Sequence, residues 1–306
     1  MDRKKNRIIN RLEKSDCLDK PYKSELVLDL YTRFINLDKK YPEHSKQLKV
    51  VKKHNVFLNS LCICLMALII VACSSLVIYP IIAYLIFGEK YGVALPLYLI
   101  GLDHTKKIGY FANYAYQAFG CFLAVVGFQL IQSLNVCYTG LISCMIEILR
   151  SKVSQFEQII LIGGRNKEKR IKQAFAELVE DHIELFDVAS TAEEILSFQL
   201  FLDITLFSVM VVISIFYARV SGWYPGYALS VIIVFAGFLN QFLGELSTIQ
   251  LEKLSIEIYS VSWYRMSVSM QKSWLIFLQQ SQTTQLFTCA GLKPVGIDTF
   301  SSVSIL

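Results

Sequence analysis

The chain has 306 residues, an apolar fraction of 54%, a positive mean hydropathy and a net charge of +5. Long uncharged tracts account for this composition, and they exclude a soluble enzyme, because such tracts have the length and polarity of membrane spans. Most of the excess positive charge lies in the first 54 residues and in one loop between tracts.

Four apolar tracts follow one another along the chain: Asn55 to Gly88, Ile108 to Ile146, Ile204 to Ala218 (extended back to about Ile195), and Val220 to Gly244. A bilayer core about 30 Å thick needs roughly 20 apolar residues of helix. Each tract is therefore long enough to cross once. The pattern predicts an all-α fold, a polytopic membrane helical bundle.

The distribution of Lys and Arg between the tracts predicts the orientation. Alternate segments, beginning with the N-terminal one, hold 26 of the 30 basic residues, and the other two hold 4. Positive charge in short loops is retained in the cytoplasm. The N-terminus and residues 251–290 are therefore expected to be cytoplasmic, and residues 89–107 external. We interpret the basic N-terminus as facing the lipid bilayer, with nucleic acid as the less favoured partner.

The loop between the second and third tracts shows helical periodicity. Apolar residues recur there at intervals of three and four, with charged residues on the other side: Ile171, Phe175, Leu178, Val179, Ile183 and Phe186. The second tract runs for 39 residues, so its helix is expected to continue past the membrane and to meet this one. A solvated helical loop over residues 151–195 is the simpler interpretation. A cytoplasmic bundle used for assembly gives the apolar stripe something to bury against.

No catalytic, cofactor or metal motif is evident. The chain has no phosphate-binding Gly loop followed by Lys-Ser or Lys-Thr, and no HExxH or Ser nucleophile elbow. Six of the eight Cys lie inside the apolar tracts, and the four His have no zinc-like spacing. Asp203 and the other ionisable residues near the tracts lie toward the tract ends, which disfavours a pump or ion-coupled transporter.

The C-terminal region carries a recognisable pattern. A Tyr precedes Trp-Tyr, a Leu-rich stretch ends in Gln residues, and a Gly is followed by Thr-Phe. The residues are Tyr259, Trp263, Tyr264, Leu275, Leu278, Gln279, Gln282, Ala290, Gly291, Thr299 and Phe300. This pattern resembles the C-terminal region of the insect odorant receptors. The segment Glu177 to Leu185 around His182 and the triplet Leu95-Pro96-Leu97 are also similar to that family, so the resemblance covers most of the chain.

The resemblance implies a seven-span plan, on which the four tracts correspond to the third through sixth spans. On that plan the chain would lack the first two spans and most of the seventh, giving four complete spans plus a truncated last span. The expected segments are a cytoplasmic N-terminal segment (1–54), a transmembrane bundle (55–250), and an assembly helix with the start of the last span (251–306). A chain truncated in this way is not expected to conduct.

The resemblance further implies a subunit of a ligand-gated cation channel in the plasma membrane, a hetero-tetramer with an odorant co-receptor that serves olfactory signalling. The ligand is expected to be a small volatile organic molecule, bound by Ser75, Tyr79, Tyr114, Tyr116 and Phe119, although Tyr also serves as an interfacial anchor. The implied assembly residues are His182, Tyr259, Trp263 and Tyr264, with helix-core packing as the alternative for Trp263 and Tyr264. Thr299, Phe300 and Val303 are the implied pore residues.

Other classes of membrane protein fit less well. A rhodopsin-like G-protein-coupled receptor would carry Asp-Arg-Tyr and Asn-Pro-x-x-Tyr and an external N-terminus, and the sequence has neither motif. An insect gustatory receptor is nearer, but the motif of its final span is replaced by Thr299-Phe300. A multi-span transporter or membrane enzyme is the remaining alternative.

Overall fold

The structure is a computed structural model of the chain and describes residues 23–42, 45–87, 106–162, 166–282, 288–289, 291 and 293–304. The helices are α1 (Lys23–Asn36), α2 (Lys46–Phe87), α3 (Lys107–Leu161), α4 (Lys167–Ser221), α5 (Pro225–Ser260), α6 (Val268–Ser281) and α7 (Ile297–Ser304). Short 3-10 turns lie at Asp38–Lys40 and Trp263–Arg265. Two-residue strands β1 (Thr288–Cys289) and β2 (Lys293–Pro294) pair antiparallel.

Four of these helices, α2 to α5, are long and apolar enough to cross a membrane. The predicted all-α membrane bundle is confirmed. At 1.5 Å per residue, the 55 residues of α3 or α4 reach about 80 Å, far more than the roughly 30 Å of a bilayer core. Both helices therefore continue well beyond the membrane.

The ends of the helices do not coincide with the edges of the apolar tracts. The inner helix expected at 167–196 and the third tract form one uninterrupted helix, α4. Likewise α2 begins at Lys46 and α5 runs through residue 250. A helix satisfies its backbone hydrogen bonds internally, so it can leave the membrane without a break. The actual break after α4 comes at Gly222, which ends the helix at φ +67°, and Pro225 then starts α5.

Two regions can be distinguished along these shared helices. We call residues 23–36, 143–161, 167–196, 251–260 and 268–281 the extramembrane bundle, and residues 55–87, 107–142, 197–221 and 225–250 the membrane half. Helix α2 packs on α3, and α3, α4 and α5 pack on one another. The main buried core lies mostly in the extramembrane bundle.

The expected assembly helix over 251–290 is not continuous. Helix α5 ends at Ser260, and the turn Trp263–Arg265 separates it from α6. The cause lies on α3, where the Glu157 carboxylate accepts hydrogen bonds from the Ser262 backbone N–H (2.8 Å) and hydroxyl (2.6 Å). That N–H is thereby removed from the helical ladder. Trp263 and Tyr264, expected on helices, instead lie in this turn.

Candidate functional site

An open groove of about 710 Å³ lies between α2 and α3 in the membrane half, and we call it the membrane groove. Cys73 and Val77 of α2 and Ala118, Cys121 and Phe122 of α3 are among its lining residues. Spacings of three and four residues place them on the facing sides of the two helices. Small side chains at residues 73, 74, 118 and 121 keep the space open.

The lining of the membrane groove is apolar, with a few polar groups at its ends. Near one end Gln129 donates from Nε2 to the Ser133 hydroxyl (3.1 Å) and toward the Cys62 carbonyl (3.5 Å). Near the other end the Tyr114 hydroxyl donates to the Val77 carbonyl (2.7 Å). Pro80 removes one helical hydrogen bond in that same turn of α2. An apolar cleft with a few fixed polar groups suits a small organic molecule.

The structure distributes the five expected ligand residues unevenly around this groove. Tyr114 bridges α3 to α2 beside it, and Ser75 is hydrogen-bonded to the Ala72 carbonyl of its own helix (2.6 Å). Tyr79 is half-buried. Tyr116 and Phe119 are 55% and 61% exposed and do not line the groove. Ser74, Cys121 and Phe122 line the groove but were not among the expected residues. Intervals of three and four from Ala118 give Cys121 and Phe122, and Ser74 lies directly after Cys73.

The extramembrane bundle is centred on a cluster of aromatic side chains, Phe156, Phe175, His182, Trp274 and Phe277. Trp274 is fully buried and stacks on Phe156, with ring centroids 5.1 Å apart and planes inclined by 10°. Phe175 contacts both Trp274 and Phe277 at 5.8 Å. This aromatic cluster joins α3, α4 and α6. The expected packing of the 251–290 segment on the inner helix is present, but Trp274 and Phe277 make it.

His182 forms one edge of the aromatic cluster. Its ring lies 5.0 Å from Phe277 and 4.7 Å from Phe186. Its buried Nε2 has no hydrogen-bond partner among the described residues. Burial lowers the pKa of His182 from 6.5 to about 4, because the imidazolium form would lose its hydration. His182 is therefore neutral at physiological pH.

A second groove, of about 570 Å³, runs between α4 and α6 on the surface of the extramembrane bundle. We call it the α4/α6 groove. Phe186, Ile276 and Phe277 contribute to its lining, and His182 lies at its base. Two other expected assembly residues, Tyr259 and Tyr264, are 67% and 63% exposed. Trp263 is half-buried against the main core. The bundle surface thus presents large apolar side chains.

Helix α1 and the 3-10 turn that follows it are attached to the bundle by ion pairs. Arg33 bonds to Asp187 of α4 at 2.9 Å, and Lys40 pairs with Asp181 and Glu184 of the same helix. Arg150 of α3 pairs with Glu257 of α5. These pairs are half-exposed, so they fix the positions of the helices more than they stabilise the fold.

The short helix α7 is held at its N-terminal end by α5. Gln241 Oε1 accepts a hydrogen bond from the Gly296 N–H (3.0 Å), and Glu245 Oε2 accepts one from the Ile297 N–H (2.7 Å). Thr299, an expected pore residue, is buried and donates to the Pro294 carbonyl (2.7 Å). The side chains of the other two, Phe300 and Val303, lie outside the described part of the chain.

Polar side chains without formal charge are buried among α3, α4 and α5. Gln199 Nε2 donates to Asn135 Oδ1 (3.1 Å), and the Ser143 and Ser247 hydroxyls share a hydrogen bond (2.9 Å). Asn240 is also buried there. Asp203, noted in the sequence as an ionisable residue, hydrogen-bonds with Asn135 and Gln199 in this cluster. The uncharged members were not predicted, because only ionisable residues were considered. Interhelical hydrogen bonds of this kind hold membrane helices together.

The comparison with family models gives one match. The model described as 7tm Odorant receptor matches residues 27–304, which is nearly the whole chain. No match was found among the curated proteins.

Proposed function

The chain belongs to the 7tm odorant receptor family and is a multi-pass membrane protein, and on this basis we propose that it binds a volatile organic molecule in the membrane groove. In this proposal it acts in the plasma membrane, with a cytoplasmic N-terminus. It is one subunit of a ligand-gated cation channel completed by a co-receptor. The observation that carries the proposal is the apolar, small-residue groove between two helices that cross the membrane.

The chemistry of the groove fits a volatile ligand. Volatile molecules are small and weakly polar, so they partition into the bilayer and can enter the groove sideways. Burying apolar surface contributes about 25 cal/mol per Å². With few polar groups in the lining, shape and apolar contact would select the ligand, and Tyr114 and Gln129 would recognise a polar group at either end of it.

Filling the groove tests this site. Ala118→Phe places a large ring among the lining residues, whereas Ala124→Phe adds the same ring to an exposed face of α3 outside the groove. With a ligand found by screening volatile compounds against the purified protein, Ala118→Phe should weaken binding roughly tenfold or more, since overpacking typically costs about 1–3 kcal/mol. Ala124→Phe should bind normally. Equal binding by both variants would exclude the membrane groove as the site.

For assembly with the co-receptor we propose the surface that carries Tyr259, Tyr264 and the α4/α6 groove. Exposed aromatic residues are typical anchors of protein interfaces. Replacing both Trp263 and Tyr264 by Ala should weaken co-purification with the co-receptor. Because Trp263 is half-buried, the single variant Tyr264→Ala separates lost association from lost packing. Full co-purification of the double variant would leave these residues with a local packing role only.

For the pore we propose α7, with Thr299, Phe300 and Val303. Its attachment to α5 through Gln241 and Glu245 offers a mechanical link between the spans and the pore. Glu245→Ala removes the hydrogen-bond acceptor for the Ile297 N–H, so it should alter gating and leave ligand affinity unchanged. Ligand-evoked currents and ligand binding are both measured in a chain completed to the seven-span plan, because the truncated chain is not expected to conduct. Normal gating in Glu245→Ala would contradict the link.

A further inference from the structure

A smaller cavity, of about 220 Å³, lies where α2, α3 and α5 pass from the membrane half into the extramembrane bundle. Lys53, His54 and Glu147 line one end of it, and Leu58, Gly140 and Leu243 line the other. We call it the basic cleft. It is amphipathic along the helix direction: charged groups lie on the side of the extramembrane bundle, and apolar groups lie on the membrane side.

The charges at the polar end are not equivalent. His54 Nε2 lies 3.4 Å from Glu147 Oε2, and His54 Nδ1 is bonded to the Val50 carbonyl (3.2 Å). These contacts occupy both ring nitrogens of His54 and one oxygen of the Glu147 carboxylate. Lys53, by contrast, makes no ion pair or hydrogen bond with any described residue. Its ammonium group is available to an anion at the mouth of the cleft.

Gln250 of α5 supplies an unsatisfied acceptor in the same cleft. Its side-chain Oε1 is buried and has no hydrogen-bond partner among the described residues. A buried carbonyl oxygen without a hydrogen-bond donor destabilises the folded protein, and a ligand that supplies a donor removes this penalty. The cleft therefore offers a cation for an anion and, separately, an acceptor for a hydroxyl or N–H group.

The apolar end is closed by the close approach of α2 and α3. At Gly140 there is no room for a Cβ, because the Leu58 side chain occupies that space. Phe57 and Leu246 continue the apolar lining beside it. The long apolar tract of α2 begins at residue 55, two residues after Lys53. The mouth of the cleft thus lies at the depth of the lipid headgroups if α2 crosses the bilayer.

We propose that the basic cleft binds a phospholipid with an anionic, hydroxylated headgroup, such as phosphatidylinositol. The phosphate pairs with Lys53, a headgroup hydroxyl donates to Gln250 Oε1, and the glycerol end of an acyl chain lies on Phe57 and Leu246. Basic pockets between membrane helices are suited to such headgroups. Phosphatidylcholine has no donor for Gln250, since its quaternary ammonium carries no N–H. The inference requires that α2, α3 and α5 cross the membrane, and it does not depend on odorant binding.

Lys53→Gln and Lys52→Gln form a matched pair for the test. Both remove one exposed positive charge from the same turn of α2, but only Lys53 lines the cleft. The purified protein is placed in phosphatidylcholine nanodiscs that carry a few mole per cent phosphatidylinositol, and retained lipid is measured by native mass spectrometry. Both leaflets carry the lipid, so the result does not depend on orientation. Lys53→Gln should weaken phosphatidylinositol binding about fivefold, and Lys52→Gln by less than twofold.

A second variant tests the donor. Wild-type protein should retain phosphatidylinositol in preference to phosphatidylmethanol, which has the same charge and no headgroup donor. Gln250→Leu should bind the two lipids equally. Equal losses of phosphatidylinositol binding in both lysine variants would show diffuse attraction to a basic surface and would overturn the site. No loss of binding in either variant would also overturn it. Competition by soluble inositol phosphate as strong as that by the lipid would overturn the assignment to a lipid.

Discussion

The extramembrane bundle and the membrane half use the same helices but bury very different amounts of apolar surface. One core of 32 buried apolar residues, counted over the described chain, lies mainly in the extramembrane bundle and includes Trp274 and Phe156. In the described chain a second, separate cluster of buried apolar residues lies within the membrane half and has four members, Leu58, Leu65, Val136 and Leu243. In the most apolar stretch of each of the four long helices, between 17% and 39% of the residues are buried.

The difference follows from the surroundings of each region. In water, apolar side chains are stabilised by burial, so the extramembrane bundle packs a dense core. In lipid, burial against protein brings no hydrophobic gain, and helices associate through close packing and hydrogen bonds. The membrane half accordingly depends on contacts such as Gly140 with Leu58 and Tyr114 with the Val77 carbonyl. Loose packing there leaves room for the membrane groove and the basic cleft.

The largest effect is expected at the centre of the extramembrane core. Trp274→Ala removes the ring that stacks on Phe156 and should lower the free energy of unfolding by about 3–5 kcal/mol. Thermal unfolding of the detergent-solubilised protein measures it. Tyr264→Ala, an exposed aromatic residue of the same region, should change stability by less than about 0.5 kcal/mol. Similar losses in the two variants would contradict the contrast between core and surface.

An intermediate effect is expected at the close helix contact of the membrane half. Gly140→Ala forces the Leu58 side chain aside and should cost about 1–3 kcal/mol. Gly127→Ala, on the same helix, meets no atom within 4 Å and serves as the control. Adding Leu58→Ala to Gly140→Ala should recover part of the loss. If the two glycine variants unfold at the same temperature, α2 and α3 do not pack as described.

The third effect, small for any one step of pH, returns to the extramembrane bundle. The pKa of His182 is lowered from 6.5 to about 4 in the folded protein, so between these values the unfolded chain binds more protons. Its contribution to stability is fully present above pH 6.5 and is lost progressively as the pH falls toward 4, by roughly 1 kcal/mol per pH unit. His182→Phe should unfold with a weaker dependence on pH over this window. If the pH dependence of stability is unchanged in His182→Phe, a group other than His182 causes it.

Hydropathy and periodicity predicted the helices well, because both patterns follow directly from the environment of each face. Ile171 and Leu178 are buried, and Lys169 and Lys172 are exposed, as the three- and four-residue spacing indicates. Ile183, expected on the same apolar stripe, is instead 57% exposed beside the α4/α6 groove. The continuity of α4 was not predicted, because a change in composition marks a change of solvent and not the end of a helix. The break near Trp263 was not predicted either, since it depends on Glu157, about 100 residues away in sequence.

The candidate sites were harder to predict than the helices. The expected ligand residues were chosen by chemistry and depth, which do not say which side of α3 faces α2. As a result the expected set includes Tyr116 and Phe119, which do not line the membrane groove, and omits Ala118 and Cys121, which do; ligand contact by any of these residues stays a prediction. The importance of Trp274 was missed for a similar reason, because aromatic stacking between three helices requires the tertiary arrangement. The basic cleft likewise combines residues from three helices.

The orientation in the membrane is the most direct test of the account, because it determines which region meets odorants and which meets the cytoplasm. Glycosylation acceptor sites are introduced into residues 89–107 and, separately, before Asn55, and the protein is expressed in cells. The distribution of 26 of 30 basic residues predicts modification in the first position and none in the second. Modification only before Asn55 would reverse the topology and contradict the proposed roles of both regions.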